Sequence, residues 1–171
     1  MTSLKVSLAD IPETVLVPAK YLSGGSVGAQ IAYGRDVSLM IATRQPGYHS
    51  KPHLHDAEQL NYVLEGELRV FVEDTDFLAK KGDLFRIPRN AIHWSRVQGN
   101  GPCVLLEAHS PPLVGDPGVT DTAVALMSSA ERDAVTGIGS QWPADFHRNT
   151  AESEIVRLND RRGSDQKVAM S

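Results

Sequence analysis

Gly47-Tyr48-His49-Ser50-Lys51-Pro52-His53-Leu54-His55-Asp56-Ala57-Glu58-Gln59-Leu60-Asn61-Tyr62-Val63-Leu64-Glu65-Gly66 sets two histidines, one residue apart, at the entry to a strand-like run that turns at Glu65-Gly66. Side chains of a strand alternate between its faces, so His53, His55, Gln59 and Asn61 fall on one face if no bulge intervenes. A second run, Gly82 to His93, supplies a distant third histidine. His53, His55, Gln59 and His93 are therefore four residues able to converge on one metal ion. Glu58 is expected to face away, although a bulge would exchange it with Gln59.

Outward from this stretch, short strand candidates follow one another, as in a sandwich or barrel. They are Ala29 to Tyr33, Val37 to Thr43, Gln59 to Leu64, Leu68 to Glu73, Phe77 to Lys80, Leu84 to Ile87, His93 to Val97 and Cys103 to Ala108. Gly34-Arg35-Asp36, Glu65-Gly66, Lys81-Gly82-Asp83 and Gln98-Gly99-Asn100-Gly101-Pro102 provide the turns between them. Val37, Leu39 and Ile41 share a face, as expected of a strand with one strongly apolar side. Leu60, Tyr62 and Leu64 lie opposite Gln59 and Asn61, so both faces of that strand are expected to be covered. Either the N-terminal segment, for instance Thr14-Val15-Leu16-Val17, or a second subunit is expected to provide the cover, and a homodimer is the expected assembly.

The regular β pattern stops near Pro111-Pro112. Beyond it, Ser128-Ser129-Ala130-Glu131 fits a capping box, with a short helix through Val135 ended by Gly137. The stretch Asn159 to Lys167 is polar and is expected to fray. The expected organisation is an N-terminal extension over 1–28, a barrel over 29–112 and a C-terminal extension over 113–171.

The quoted stretch resembles the first conserved motif of the cupin superfamily: Gly, five residues, His-x-His, three or four residues, Glu, six residues, Gly. Gly47, His53, His55 and Gly66 fall in place, while Gln59 stands where the family has glutamate. Gly82, Pro88 and His93 match the second motif, with Asn90 in place of a usual glycine and Val97 in place of the usual asparagine. The resemblance implies an all-β fold, a cupin-type jelly-roll β-barrel with a short, partly helical C-terminal extension, whose mouth or lumen holds a metal and a ligand.

Three neutral imidazoles suit zinc, iron, copper or nickel, whereas carboxylate-rich sites suit harder ions such as manganese. With Gln59 in place of glutamate, the site keeps the full +2 charge of its ion. A bound water is then more acidic, and an anionic substrate is favoured. Gln59 either ligates, touches the metal-bound water or points away. His49 has the parity of His53 and is either a substrate contact or proton shuttle near the mouth, or an ordinary loop histidine. His109 and His147 belong to no recognisable motif and read as structural or exposed. Trp94, Phe71, Phe85 and Tyr48 are either cavity lining or core, with Phe85 and Ile87 on one face.

The net charge of −4, with no concentration of Lys and Arg, argues against nucleic acid as partner. No run approaches the ~20 apolar residues of a membrane helix, and the N-terminus has no long apolar core, so the expected setting is cytoplasmic. A single cysteine, Cys103, rules out an internal disulfide or thiolate cluster and reads as packing. The resemblance favours an Fe(II) dioxygenase-like enzyme acting on a small enolisable, phenolic or carboxylate substrate. In this reading His53, His55 and His93 hold the metal and Gln59 orients oxygen or substrate; iron is the expected ion, with Zn, Ni, Mn and Cu as alternatives. The alternative functions are a non-oxidative Lewis-acid cupin (polyketide cyclase, isomerase or lyase) and a non-catalytic small-ligand-binding cupin.

Overall fold

The computed structural model describes residues 4–15, 22–114 and 122–135, together with Gly137 and Gly139. Among the described residues, twelve strands run in chain order: β1 (Thr14–Val15), β2 (Leu22–Gly24), β3 (Val27–Tyr33), β4 (Ser38–Arg44), β5 (His49–Ser50), β6 (Glu58–Glu65), β7 (Glu67–Val72), β8 (Thr75–Lys80), β9 (Leu84–Ile87), β10 (His93–Gln98), β11 (Cys103–Ser110) and β12 (Val124–Ala125). One sheet has the order β1-β3-β4-β11-β6-β9, with β12 added against β3, and the other has the order β2-β5-β10-β7-β8. Every pairing is antiparallel except that of β12 with β3. The all-β reading holds, and all eight expected strands are present to within a few residues at their ends.

Residues paired across antiparallel strands share a face, so the registers define what looks inward. On the larger sheet Tyr33, Ser38, His109, Gln59 and Ile87 form one inward row, and Ile31, Met40, Glu107, Asn61 and Phe85 form the next. Below them lie Ala29, Ala42, Leu105 and Val63, then Val27, Arg44 and Cys103. Leu68, Val70, Ala79, Tyr48 and Val97 of or beside the second sheet complete the apolar core with these residues. The lower rows are therefore apolar apart from Arg44, and most of the polar side chains lie in the two rows nearest the strand ends.

The structure corrects several sequence expectations. Val37 and Leu39 are about half exposed, and the buried side of β4 is Ser38, Met40, Ala42 and Arg44. The inward stripe is mixed, with Met40 and Ala42 in the core and its two polar members partnered inside: Ser38 accepts from the Leu113 amide and Arg44 pairs with Glu107. Thr14-Val15 covers no face of β6; it pairs with β3 at the opposite edge of the sheet, and Leu16 and Val17 lie outside the described residues. From the segments flanking 29–112, β1, β2 and β12 all pair with barrel strands.

The capping box at Ser128 is present, with Glu131 bonded reciprocally, but helix α1 covers only Ser129–Arg132. It ends before the expected Val135 and Gly137. The polar tail and His147 lie outside the described residues. Gly66 has a φ of +78°, and a Cβ there would stand 2.3 Å from the Pro102 carbonyl oxygen, which explains the glycine closing the first motif. Asn90, in place of the second motif's glycine, also adopts positive φ at +60°, a conformation asparagine tolerates. No helix among the described residues is long and apolar enough to cross a membrane.

Candidate metal centre

His53 and His93 meet because their backbones pair. They form an antiparallel bridge in which each amide donates to the other's carbonyl, at 3.0 and 2.9 Å. His55 follows on the same chain and receives the Asn90 amide at its carbonyl, which ties the two motif loops together. Pro88 and the turn closed by Ala91 deliver His93 to this bridge. The result is a group of rings with centres 4.3 Å apart for His53 and His93, 4.9 Å for His55 and His93, and 6.3 Å for His53 and His55.

Each ring is locked through Nδ1. The Nδ1–H of His53 donates to the Lys51 carbonyl at 2.9 Å and that of His93 to Ala91 at 2.9 Å, while His55 Nδ1 stands 3.0 Å from the Ala57 carbonyl. A carbonyl only accepts, so these bonds place the proton of neutral His53 and His93 on Nδ1 and the lone pair on Nε2, whereas both nitrogens of His55 face an oxygen acceptor. This is the outer support that metal-binding imidazoles use.

Gln59 completes the set. Its Nε2 uses both hydrogens, donating to Asn61 Oδ1 at 2.7 Å and to Glu107 Oε2 at 2.9 Å. Its Oε1 consequently faces His55 Nε2 at 3.1 Å. With the proton on Nδ1 two lone pairs oppose each other across that gap, and with it on Nε2 the opposition falls at Ala57 instead. One proton thus cannot satisfy both contacts of the neutral ring, and burial holds its pKa below the ordinary value. A cation between Nε2 and Oε1 would relieve this, since two donors about 2.1 Å from an ion at right angles stand about 3.0 Å apart.

The ring spacing fits as well. A point equidistant from the three ring centres lies about 3.2 Å from each, as expected for a donor nitrogen about 2.1 Å from an ion with the ring centre about 1.1 Å behind it. As placed, no three His, Cys, Asp or Glu side chains among the described residues form a closed group for an ion. The ring centres thus have the spacing for a common ion, while the donor atoms as placed do not close on one.

Three further residues that the sequence reading did not single out belong to this centre. His109, expected to be structural or exposed, is buried and packs edge-on against His55 at 5.3 Å between ring centres, and its Nδ1 has no hydrogen-bond partner. Glu107 and Arg44 form a buried ion pair, with Nη2 2.6 Å from Oε1. Alternation along β11 from Cys103 through Leu105 carries Glu107 and His109 inward, a signal that was readable once the inner face of β11 was known. Arg44 lay just past the expected end of its strand.

His49 is a correction of a different kind. It pairs with Arg96, which alternates with the inward Ser95 and Val97, so His49 lies on the outer face of the smaller sheet, opposite His93. The chain between His49 and His53 leaves the strand, so equal parity did not mean an equal face. Glu58 points outward and pairs with Arg86, as expected, while Gln59 points inward. Phe71 and Trp94 stack at 5.0 Å on the side away from His93, Phe85 lies on the lumen side with Ile87, and Tyr48 sits beneath the Arg44 guanidinium. Cys103 is buried packing, its thiol pushed up to about 11 by desolvation.

Burial lowers the pKa of His53 to about 4 and holds those of His93 and His109 well below 6.5. The sign follows from linkage: below pH 6.5 the unfolded chain takes up protons that the folded lumen refuses, so metal-free stability falls as pH falls from 6.5 towards 4. His53 alone contributes a loss on the order of 2–3 kcal/mol by pH 4. Urea midpoints of metal-free protein are expected to fall steadily from pH 7.5 to pH 5; a flat profile would show that these rings are hydrated.

Residues 40–109 match the family model described as Cupin domain. Over 106 residues the chain is 34% identical to germin-like protein subfamily 2 member 2 of Arabidopsis thaliana, a match covering 58% of this chain and 48% of that protein. It is 32% identical over 105 residues to nectarin-1 of Nicotiana plumbaginifolia, covering 58% and 46%. The chain spans about half the length of the curated relatives it matches. Among solved structures, an RmlC-like cupin from Shewanella frigidimarina superposes with a TM-score of 0.53 at 20% identity, over 65% of this chain and 95% of that one. The cupin domain of Schizosaccharomyces pombe Cnp3 superposes with a TM-score of 0.52 at 15% identity, over 63% and 74%. At these identities the structural likeness shows the fold alone.

Proposed function

We propose, for a chain whose residues 40–109 match the Cupin domain family model, that the lumen holds one divalent transition metal on His53, His55, His93 and Gln59. We infer that the centre acts on a small enolisable, phenolic or carboxylate substrate in a dioxygenase-like reaction, with iron as the ion. The observation that carries this reading is the 3.1 Å approach of His55 Nε2 to Gln59 Oε1 on a buried ring whose two nitrogens both face oxygen acceptors, beside two further imidazoles bonded through Nδ1. Such an ion supplies Lewis acidity and open positions for a substrate anion.

The protein's own residues set the charge and the shape. All four donors are neutral, and the nearby Glu107 carboxylate is matched by Arg44, so the ion's charge is left for an anionic substrate. Phe85 and Ile87 form an apolar wall beside Gln59 and Asn61. Because the donor set contains no carboxylate base, Lewis-acid chemistry without oxygen is the second reading.

Protein purified anaerobically without tag or chelator is expected to contain about one transition-metal ion per chain by elemental mass spectrometry, and its Fe(II) form to consume oxygen with diketones or phenols. Turnover by the zinc form without oxygen would move the non-oxidative reading ahead. Failure to retain iron, zinc, nickel, manganese or copper after reconstitution would sink both.

We also propose that a second copy of the chain covers the outer face of the larger sheet, where Leu39, Leu60, Tyr62 and Leu84 stand exposed. Leu60→Glu is then expected to shift the elution volume from dimer to monomer; a wild-type protein that already elutes as a monomer would contradict it.

A further inference from the structure

We propose that Glu107 is a positioning residue that decides which end of the Gln59 amide is presented to the metal. This rests on the reading that His53, His55, His93 and Gln59 hold an ion. Gln59 and Glu107 are neighbours across β6 and β11: Glu107 pairs with Asn61, and His109 with Gln59. Glu107 is 1% exposed, Gln59 is 5% exposed, and their side chains are joined by the 2.9 Å bond from Nε2 to Oε2.

An amide has two ends of nearly equal size and opposite hydrogen-bonding character, so something must choose between them. Asn61 does not choose, because it is an amide too and turns over as easily as Gln59. Glu107 does choose. A carboxylate offers acceptors to the amide, and Arg44 Nη2 stands 2.6 Å from its other oxygen, Oε1. If Gln59 turned over, its carbonyl oxygen would face the Glu107 carboxylate inside the barrel, where unpaired polar atoms are costly. Gln59 Oε1 is thereby confined to the side of His55.

The carboxylate that the family motif places on the metal-binding strand is thus found one strand away, and an amide stands between it and the centre. The pair has one amide and one carboxylate in either order, and the exchanged order is also compatible with Arg44. With Gln59→Glu and Glu107→Gln together, the new amide at position 107 would donate to the new carboxylate at position 59 and accept from Arg44. Neither single change has that match: Gln59→Glu sets two carboxylates against each other, and Glu107→Gln removes the group that selects the amide end.

The test is Zn(II) affinity, by competition with a chromophoric chelator, for wild type, the two single variants and the double variant, with urea unfolding of each metal-free protein alongside. Glu107→Gln is expected to bind Zn(II) 10- to 100-fold more weakly, and the double variant to return to within about threefold of wild type, a coupling that additive effects would not give. A purely structural Glu107 would lower metal-free stability without that recovery. Wild-type affinity in a folded Glu107→Gln protein would overturn the inference while leaving the metal site standing. If Glu107→Gln does not fold, the double variant decides alone: affinity within tenfold of wild type supports the inference, and a loss beyond 100-fold overturns it. A wild-type protein that binds no Zn(II) would overturn the site itself.

Discussion

Arg44→Met is expected to cost the fold about 3–5 kcal/mol, the largest stability loss of any single polar substitution in the lumen. Glu107 is 1% exposed and Arg44 7% exposed, and their side chains approach to 2.6 Å. Removing the guanidinium leaves a carboxylate that is tied to Gln59 but has no counter-charge inside the barrel. The urea midpoint should fall with little change in slope, because the surface exposed on unfolding is nearly unchanged. Arg44→Met/Glu107→Leu should recover most of the loss, since replacing both partners removes the uncompensated charge. A loss below about 1 kcal/mol in the single variant would mean that the pair behaves as a solvated surface pair.

The second large effect concerns the metal. His53→Ala/His93→Ala removes two of the three imidazoles while keeping the backbone bridge between those positions, and its metal content is expected to drop from about one ion per chain to none. The thermodynamic counterpart is linkage: an ion at 100 times its dissociation constant stabilises the wild type by about 2.7 kcal/mol. The same addition should leave the double variant unmoved. Thermal unfolding with and without added ion checks this independently of any activity. Retention of a stoichiometric ion by the variant would place the metal elsewhere and remove the basis of the proposed function.

The site was legible in the sequence to the extent that it lies on single strands. His55 and Gln59 lead into or lie on β6, and their spacing and parity were enough to bring them to one face. Parity failed for His49 because the chain leaves the strand between Ser50 and His53, and side-chain alternation has no meaning across a loop. Arg44, Glu107 and His109 were missed for another reason: they lie on strands read as plain packing, and their importance comes from what stands opposite them. Leu39 misled for the same cause, since its apolar stripe looked like a core face while the actual inner face carried Ser38 and Arg44.

Local chemistry in the sequence thus determined the strands, the turns at Gly66 and Asn90, the capping box at Ser128 and the three motif histidines. These depend on neighbours a few residues apart, within reach of backbone sterics and alternation. Only the tertiary structure decided that β11 lies between β4 and β6, and with it that Glu107 meets both Arg44 and Gln59. That meeting is made of contacts 48 residues apart between Gln59 and Glu107, and the register that creates it depends on which sheet faces are buried against each other, a property of the whole barrel and of no single strand.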